Sequence, residues 1–238
     1  MIYLKSAKLN NMPRKSSYLA EIPAVKCLCE TGIDFDRPVT FFVGENGVGK
    51  STIIEALAIA TGFNAEGGSR DHRFSNYNET FELGELLTIA KENHPKDGFF
   101  LRAESFYNVA AYLEENSSMA RYGGVSLHRQ SHGESFISLV KKRFEGSGLY
   151  ILDEPEAALS PQMQMTLVSL IDNLVNDNSQ FIIATHSPII MAYPNARILQ
   201  FSDAGIAPVT FCETSHYRIM KTFLDDPDRA MHYLLEGK

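Results

Sequence analysis

Apolar residues are concentrated in short continuous runs that alternate with stretches of helical spacing. Three of these runs have the character of parallel strands covered on both faces, and they are VTFFVG (39–44), LYILD (149–153) and FIIAT (181–185). After the first run, residues 50–62 have helical spacing and end on a glycine, Gly62. Residues 160–176 predict a second helix, with Ser160 at the N-cap and Pro161 at the first helical position.

Weaker patterns occupy the regions around these elements. Residues 2–9 and 18–30 predict N-terminal strands, which we expect to be antiparallel. Residues 63–80 are polar and rich in Gly, Asn and Ser, which is typical of a mobile loop. Residues from about 84 to 145 predict a mostly helical lobe on the sheet.

Two more strands and one helix are predicted near the C-terminus. The strands are RILQF (197–201) and APVTF (207–211). The alternation of strand, loop and helix gives an α/β fold class. We expect one domain over residues 1–238, with the helical lobe as an insertion, and we find no repeat or heptad run that indicates a coiled-coil arm.

Composition excludes several classes of protein. Hydrophobic residues make up 44% of the 238 positions, which favours a folded globular chain. The net charge of −7 argues against a wholly basic nucleic-acid binder, although a local basic patch is compatible with it. The N-terminus lacks the apolar core of a signal peptide, and no run of about 18 apolar residues occurs. We therefore expect a cytoplasmic protein that reaches a membrane only through another chain.

The three cysteines do not indicate a disulfide framework, because the number is odd and the chain is long. Cys27 and Cys29 alternate in AVKCLCE, so we expect them to share one face of a strand. A metal role for this pair is not favoured, because no second Cys or His pair has the spacing of a zinc site.

The segment GENGVGKST (44–52) matches the phosphate-loop pattern G-x-x-x-x-G-K-[ST], and it lies between a predicted strand and a predicted helix. Its glycines let the backbone curl so that N–H groups point at phosphate oxygens. Lys50 supplies a cation for the β- and γ-phosphates, and the Ser51 hydroxyl takes one Mg²⁺ position. The residues predicted to bind a nucleotide here are Gly44, Asn46, Gly47, Gly49, Lys50, Ser51 and Thr52.

Acidic residues follow the strand LYILD, at the sheet edge where ligands bind in open α/β folds. We predict that Asp153 holds Mg²⁺ and that Glu154 positions or deprotonates an attacking water. A structural turn is the alternative, and the phosphate loop in the same chain disfavours it. His186 follows the strand FIIAT and can donate a hydrogen bond to the γ-phosphate from the same edge.

The segment RQSHGESF (129–136) combines a serine, a histidine and a carboxylate. A nucleophile–base pair is disfavoured because adjacent residues do not point at each other and no G-x-S-x-G elbow occurs. A zinc pattern is excluded because the residue after His128 is arginine. Ser131 and Glu134 instead fit a capping box, and a capped helix start beside Gly133 can also receive a phosphate.

Taken in order, GENGVGKST, SHGES, ILDEPEAAL and ATHS resemble the ABC-type ATPase superfamily over roughly residues 1–210. The resemblance implies ATP and Mg²⁺ as cofactors and a homodimer that closes around two ATP molecules. It implies that Ser131 and Gly133 form a signature motif that binds the γ-phosphate held by the opposite subunit. It also implies that His186 is the switch histidine of the family.

Several positions depart from the family pattern. His132 replaces a signature glycine and Glu134 replaces the usual glutamine, while Ser160 stands where aspartate is common. The family's glutamine sensor of Mg²⁺ and γ-phosphate has no clear counterpart. Glu104 in FFLRAESF is the candidate, and Gln130 lies too close to the signature to substitute for it.

The residue that stacks on adenine in the family corresponds to either Tyr18 or Phe35. The sequences ENGVGKST and DEPEAAL resemble soluble chromosome-maintenance, DNA-repair and phage-defence ATPases more than transporter subunits. Since no coiled-coil arm is predicted, the chain resembles the small stand-alone kind.

Three functions follow as expectations. The first is a soluble Mg²⁺-dependent ATPase that closes as an ATP-sandwich dimer, in DNA repair or phage defence, with a nucleic-acid or protein partner. The second is the ATP-binding subunit of an ABC transporter. The third is an ATP-gated binding module without hydrolysis, which Glu154 argues against.

Overall fold

A computed structural model describes residues 1–64, 67–68, 79–103 and 131–236. The described strands are β1 (Leu4–Leu9), β2 (Ile33–Asp34), β3 (Val39–Val43), β4 (Leu87–Lys91), β5 (Asp97–Arg102), β6 (Gly148–Asp153), β7 (Gln180–Ala184), β8 (Arg197–Ser202) and β9 (Gly205–Val209). The described α-helices are α1 (Pro23–Glu30), α2 (Lys50–Thr61), α3 (Glu79–Leu86), α4 (His132–Arg143), α5 (Pro161–Asn176), α6 (Pro188–Met191), α7 (Ser215–Asp225) and α8 (Pro227–Glu236).

A six-stranded sheet in the order β5-β6-β7-β3-β8-β9 forms the centre of the molecule, and it is parallel except for β9. The predicted apolar runs form β3, β6 and β7, and every residue of these strands is buried. Side chains alternate between the two faces. Phe42 and Ile151 belong to the core cluster that includes α1 and α2, whereas Phe41 and Tyr150 belong to the cluster that includes α4 and α5. The predicted α/β fold is confirmed.

The N-terminal region is partly different from the prediction. β1 pairs antiparallel with β2 and β4 in a second, three-stranded sheet, as expected for the strand at 2–9. The strand predicted at 18–30 is wrong, because this segment forms a short 3-10 turn followed by α1. Pro23 opens the helix, and the buried positions recur with helical spacing. Cys27 and Cys29 therefore do not share a face, and both are free thiols.

The predicted helical lobe at about 84–145 is wrong over its first part. Residues 87–91 and 97–102 are strands β4 and β5, which the intervening residues of NHPKDG connect. The run FFL in β5 is buried, since this strand pairs with β6 and is covered on both faces. The last part, α4, is helical as predicted. Residues 104–130 lie outside the described part of the chain.

The remaining predictions of secondary structure differ from the structure only in detail. α2 ends at Thr61 with Gly62 in the left-handed conformation, and α5 has Ser160 at its N-cap, both as predicted. Most of the loop predicted at 63–80 lies outside the described residues. β9 begins two residues earlier than APVTF, and the C-terminal region forms two helices, the second of which begins at Pro227. Within the described ranges, no helix has the length and apolar character needed to span a bilayer.

Candidate functional site

Three parallel strands deliver the predicted site residues to one edge of the central sheet. In the register, Asp153 at the end of β6 lies beside Ala184 of β7, and Phe42 near the end of β3 lies on the other side of Ala184. The phosphate loop, the pair Asp153–Glu154 and His186 therefore start from adjacent positions. This is the edge at which ligands bind in open α/β sheets.

The phosphate loop requires glycine at two close approaches. Gly44 has a φ of 145°, and a Cβ atom there would lie 2.4 Å from the carbonyl oxygen of Phe201. Gly49 has a φ of 96°, and its Cβ would lie 2.6 Å from Ile22. Both the positive φ and the close approach exclude other residues, so the loop conformation depends on these positions.

The Lys50 side chain lies inside the loop and is 4% exposed. Its Nζ donates hydrogen bonds to the carbonyl oxygens of Gly44 (2.9 Å) and Glu45 (2.8 Å). Burial lowers the pKa of the Lys50 ammonium, and the carboxylates of Glu154 and Asp153 act in the opposite direction. The ammonium is thus held at the centre of the loop by groups that a phosphate can replace.

Ser51 and Asp153 form the candidate magnesium site. The Ser51 hydroxyl donates to Oδ1 of Asp153 at 3.2 Å, and Asp153 is 3% exposed. A hydroxyl and a carboxylate are hard oxygen ligands, which Mg²⁺ prefers. Among the described residues, no group of three or more His, Cys, Asp and Glu side chains forms a metal cage. This small donor set fits Mg²⁺, which usually takes one or two protein ligands and completes its shell with water and phosphate.

Arg102 is a residue of this site that the sequence analysis missed. It ends β5 opposite Asp153, and its Nε lies 3.2 Å from Oδ2 of Asp153. Its Nη1 lies 3.3 Å from Oε2 of Glu55, which is largely buried in α2. Arg102 therefore ties the acidic strand end to the helix that follows the phosphate loop. The apolar run FFL directly before Arg102 is the sequence signal for this strand.

Glu154 faces the cleft from a constrained backbone. Its φ of 49° and ψ of 51° are left-handed, which is uncommon for a residue with a side chain. Its N–H donates to the carbonyl oxygen of Ala184 at 3.0 Å. The side chain is 39% exposed, and its Oε1 lies 3.4 Å from Nε2 of His186. The two predicted catalytic residues are therefore neighbours.

His186 is fixed by its backbone as well as by its ring. Its N–H donates to the Glu156 carboxylate, which also accepts a hydrogen bond from the Thr185 hydroxyl at 2.8 Å. Burial raises the pKa of Glu156, although these hydrogen bonds oppose the rise. The ring Nδ1 of His186 lies 2.9 Å from Nε2 of His216 on α7. His216 is a second contact that the sequence analysis did not identify, because it lies thirty positions away on another element.

A cleft of about 440 Å³ opens beside these residues, and its lining residues are Tyr18, Ile22, Asn46, Gly47, Gly49, Lys50, Ser51, Thr52 and Glu154. Tyr18 is 53% exposed at this cleft. Phe35, the other predicted adenine-stacking residue, is 1% exposed in the core, so it is not available to a ligand. The structure brings the phosphate-loop residues and Glu154 into one cleft.

The predicted signature residues lie at the start of α4. Ser131 is the N-cap and accepts a hydrogen bond from the N–H of Glu134, whose Oε2 accepts from the N–H (3.0 Å) and hydroxyl (2.7 Å) of Ser131. These bonds lower the pKa of the Glu134 carboxyl. A Cβ at Gly133 would lie 2.3 Å from Sδ of Met163 and 3.0 Å from the Ala158 carbonyl oxygen. The predicted capping box is confirmed.

The signature residues and the cleft are separate features of the described chain. Neither Ser131 nor Gly133 is among the described residues that line the cleft. Glu104 and Gln130, the candidates for the family's glutamine sensor, lie outside the described residues. The sequence prediction for that sensor stays a prediction.

Comparison with known proteins matches a family model and two curated relatives, which are RbsA proteins from two strains of Bacillus cereus. The family model described as "AAA domain" matches residues 21–192. The ribose import ATP-binding protein RbsA of Bacillus cereus is 27% identical over 168 residues, which cover 60% of this chain and 33% of the relative. The chain thus spans about a third of the length of the curated relatives it matches.

Solved structures share the fold at low identity. The protein cbiO1 of Clostridium perfringens, part of the ABC transporter complex cbiONQ, aligns with a TM-score of 0.54 and 18% identity over 99% of this chain and 100% of that one. A nucleotide-free ATP-binding cassette from an ABC transporter aligns with a TM-score of 0.52 and 15% identity over 95% and 96% of the two chains.

Proposed function

Because the chain belongs to the AAA domain family within the ABC-type P-loop ATPase superfamily, we propose that it hydrolyses ATP with Mg²⁺ and closes as a homodimer around two ATP molecules. The observation that carries this proposal is the convergence of Lys50, the Ser51–Asp153 pair and the Glu154–His186 pair at one sheet edge. A structural turn or a structural histidine does not require all of these groups in one place.

Binding begins with an exchange of partners at the phosphate loop. The ammonium of Lys50 leaves the carbonyl oxygens of Gly44 and Glu45 and binds phosphate oxygens, while the loop N–H groups point at the same phosphates. Ser51 and Asp153 would hold Mg²⁺, which would supply positive charge to neutralise the phosphates. Tyr18 is exposed at the cleft and offers a ring on which adenine stacks.

Hydrolysis requires a water molecule in line with the γ-phosphate. Glu154 accepts a hydrogen bond from this water and increases its nucleophilicity as the bond to phosphorus forms. Nε2 of His186 lies 3.4 Å from Oε1 of Glu154 in the structure. In this proposal the same nitrogen donates a hydrogen bond to the γ-phosphate when ATP is bound. The histidine thereby senses whether the γ-phosphate is present.

A second copy of the chain completes each ATP site in this proposal. Support comes from the start of α4, where Ser131 and Gly133 form a capped helix end that does not line the chain's own cleft. Such a helix end attracts anions through its dipole and the N–H groups of its first turn. Glu134 is turned toward Ser131, so its carboxylate is not directed at an incoming phosphate.

Phosphate release from ATP tests the proposed hydrolysis. We expect turnover by the wild-type chain with Mg²⁺, no turnover with EDTA, and loss of turnover in Glu154→Gln. The matched control is Glu85→Gln, a change of the same kind at an exposed position on α3, which should have no effect. If the wild-type protein binds Mg-ATP but releases no phosphate, hydrolysis is excluded and the ATP-gated binding module is the remaining function.

For the cellular role, we propose a nucleic-acid-associated ATPase of DNA repair or phage defence, on the resemblance of ENGVGKST and DEPEAAL to such proteins. The second candidate is a transporter subunit, which the match to the ribose import ATP-binding protein favours. Stimulation of turnover by DNA or RNA supports the first role. Co-purification with a membrane protein, without stimulation by nucleic acid, supports the second.

A further inference from the structure

His216 occupies a position that local structure fixes firmly. Thr214 is fully buried and caps α7, accepting a hydrogen bond from the N–H of Tyr217 at 3.3 Å. The Thr214 hydroxyl also donates to the carbonyl oxygen of Phe211 at 2.8 Å. His216 therefore lies in the first turn of a capped helix, and its ring contacts His186, which follows β7.

Three side chains form a continuous chain of contacts. Nε2 of His216 lies 2.9 Å from Nδ1 of His186, and Nε2 of His186 lies 3.4 Å from Oε1 of Glu154. The two rings meet edge to face, with centroids 5.0 Å apart and an interplanar angle of 63°. An edge contact of this kind leaves the ring nitrogens free to share a proton.

The carboxylate of Glu154, at one end of this series of three side chains, determines which ring nitrogens carry protons. Nε2 of His186 makes no hydrogen bond in the described part of the chain, but it lies 3.4 Å from Oε1 of Glu154. A proton on this nitrogen is favoured, because an unprotonated Nε2 would turn its lone pair toward a carboxylate oxygen, which is itself an acceptor. In a neutral imidazole the other nitrogen then has no proton, and Nδ1 of His186 must accept. The proton between the two rings therefore belongs to Nε2 of His216.

The surroundings of His216 agree with this assignment. Burial lowers the pKa of the His216 ring, His186 and Lys50 act in the same direction, and Glu45 opposes them, which favours the neutral ring. Its Nδ1 is buried without a hydrogen-bond partner in the described part of the chain. If Nδ1 of His216 carries no proton, the buried group without a partner is an acceptor. If it carries a proton, the buried group is an N–H donor without an acceptor, which costs more free energy.

We propose that His216 is a positioning residue that keeps His186 in the Nε2–H tautomer by donating a hydrogen bond to its Nδ1. His186 then presents an N–H to Glu154 in the resting protein and to the γ-phosphate when ATP is bound. The second half of this statement rests on the proposed function. The first half concerns the nucleotide-free chain alone.

Nitrogen-15 NMR of the histidine side chains in the nucleotide-free protein tests the first half. We expect a coupling across the hydrogen bond between Nδ1 of His186 and Nε2 of His216, with the shared proton attached to His216. The coupling should be absent in His216→Ala. A proton attached to Nδ1 of His186, or no coupling in the folded wild-type protein, would overturn the proposal.

Steady-state kinetics test the second half. His216→Ala should lower kcat for ATP by about tenfold, the effect of one lost hydrogen bond, with little change in KM. His216→Gln should recover most of the loss, because its amide nitrogen can donate at a similar distance from the backbone. The matched control, His232→Ala on α8, removes an exposed histidine paired with Glu236 and should change neither constant.

Different results would contradict the proposed ATP hydrolysis and the proposed positioning role of His216. If the wild-type chain hydrolyses no ATP, the proposed function fails while the NMR result still decides the tautomer. If ATP is hydrolysed and His216→Ala and His216→Gln behave alike, the ring acts only as packing and the positioning role is wrong.

Discussion

Near the phosphate loop, Lys50 and Asp153 are buried, and Asp153 bonds to a residue far away in the sequence. At the start of α4, Glu134 is exposed and bonds to a close neighbour. We call the first region the cradle (Lys50, Ser51, Asp153, Glu154 and His186) and the second the signature start (Ser131, Gly133 and Glu134). Ser51 and Asp153 are 102 positions apart, while Ser131 and Glu134 are three apart.

In the proposed dimer, one chain supplies the cradle of each ATP site and the other chain supplies the signature start. The cradle depends on the central sheet, since its contacts exist only when β3, β6 and β7 are paired. The signature start depends on its own helix, because the capping box satisfies its backbone locally. It is therefore formed before any partner arrives, which suits a surface offered to another subunit's ATP.

The largest effect is expected from Glu154→Gln, which keeps the size of the side chain and removes its charge. Turnover should fall by about 100- to 10,000-fold, the usual contribution of a general base, while ATP still binds. Since ATP persists, the dimer should accumulate, and light scattering after size exclusion should detect it in Mg-ATP. A chain that stays monomeric under these conditions would show that the signature start does not serve a second copy.

Removing the cation of the cradle should have the next largest effect. Lys50→Ala should weaken ATP binding by roughly 100-fold in calorimetry, because it deletes charge-assisted hydrogen bonds to phosphate. Lys141→Ala, on the exposed side of α4, is the matched control and should leave the affinity unchanged. Equal affinities for Lys50→Ala and the wild-type chain would show that Lys50 does not bind the phosphates of ATP and that the cradle is not the ATP site.

The same contrast explains what the sequence predicted. Both the phosphate-loop glycines and the capping box are local patterns, and their geometry is confirmed because neighbouring residues determine it. Arg102 and His216 were missed because their partners, Asp153 and His186, lie on other elements. No spacing rule relates residues that only the sheet brings together.

The errors in secondary structure have a related cause. AVKCLCE alternates like a strand, but Pro23 at the first helical position and packing against the central sheet make it a helix. The run FFL before Arg102 is apolar on both faces, and such a run is ambiguous between helix and strand until its neighbour β6 is known. Tertiary contacts decided both cases.

A smaller effect is expected from Gly133→Ala, which tests how tightly the signature start packs. Alanine favours the helix, but its Cβ would contact Met163 and the Ala158 carbonyl oxygen. The net result should be a loss of about 1 kcal/mol in the free energy of unfolding, measured with guanidinium. Adding Met163→Ala should relieve most of the contact, and an unchanged loss in the double variant would argue that the backbone contact alone is responsible.

The smallest effect concerns the pH dependence of Glu134, whose pKa is lowered from 4.5 by the hydrogen bonds from Ser131. Its contribution to stability is present above the unfolded-state pKa and is lost as the pH falls through the lowered folded value. Unfolding midpoints of the wild-type chain and Glu134→Gln should therefore converge in acid. The change should be small, because the carboxylate is exposed. Glu213→Gln, in the matching capping box with Thr210, should behave in the same way.

ATP turnover then distinguishes the two capping boxes. If the Glu134 carboxylate stays turned toward Ser131 when a phosphate arrives, Glu134→Gln should change turnover by no more than about twofold at neutral pH. A rise of about tenfold would mean that the carboxylate repels the γ-phosphate of the second subunit, since glutamine is the usual residue there in the family it resembles. Glu213→Gln should leave turnover unchanged in either case, because its capping box is not part of the signature start.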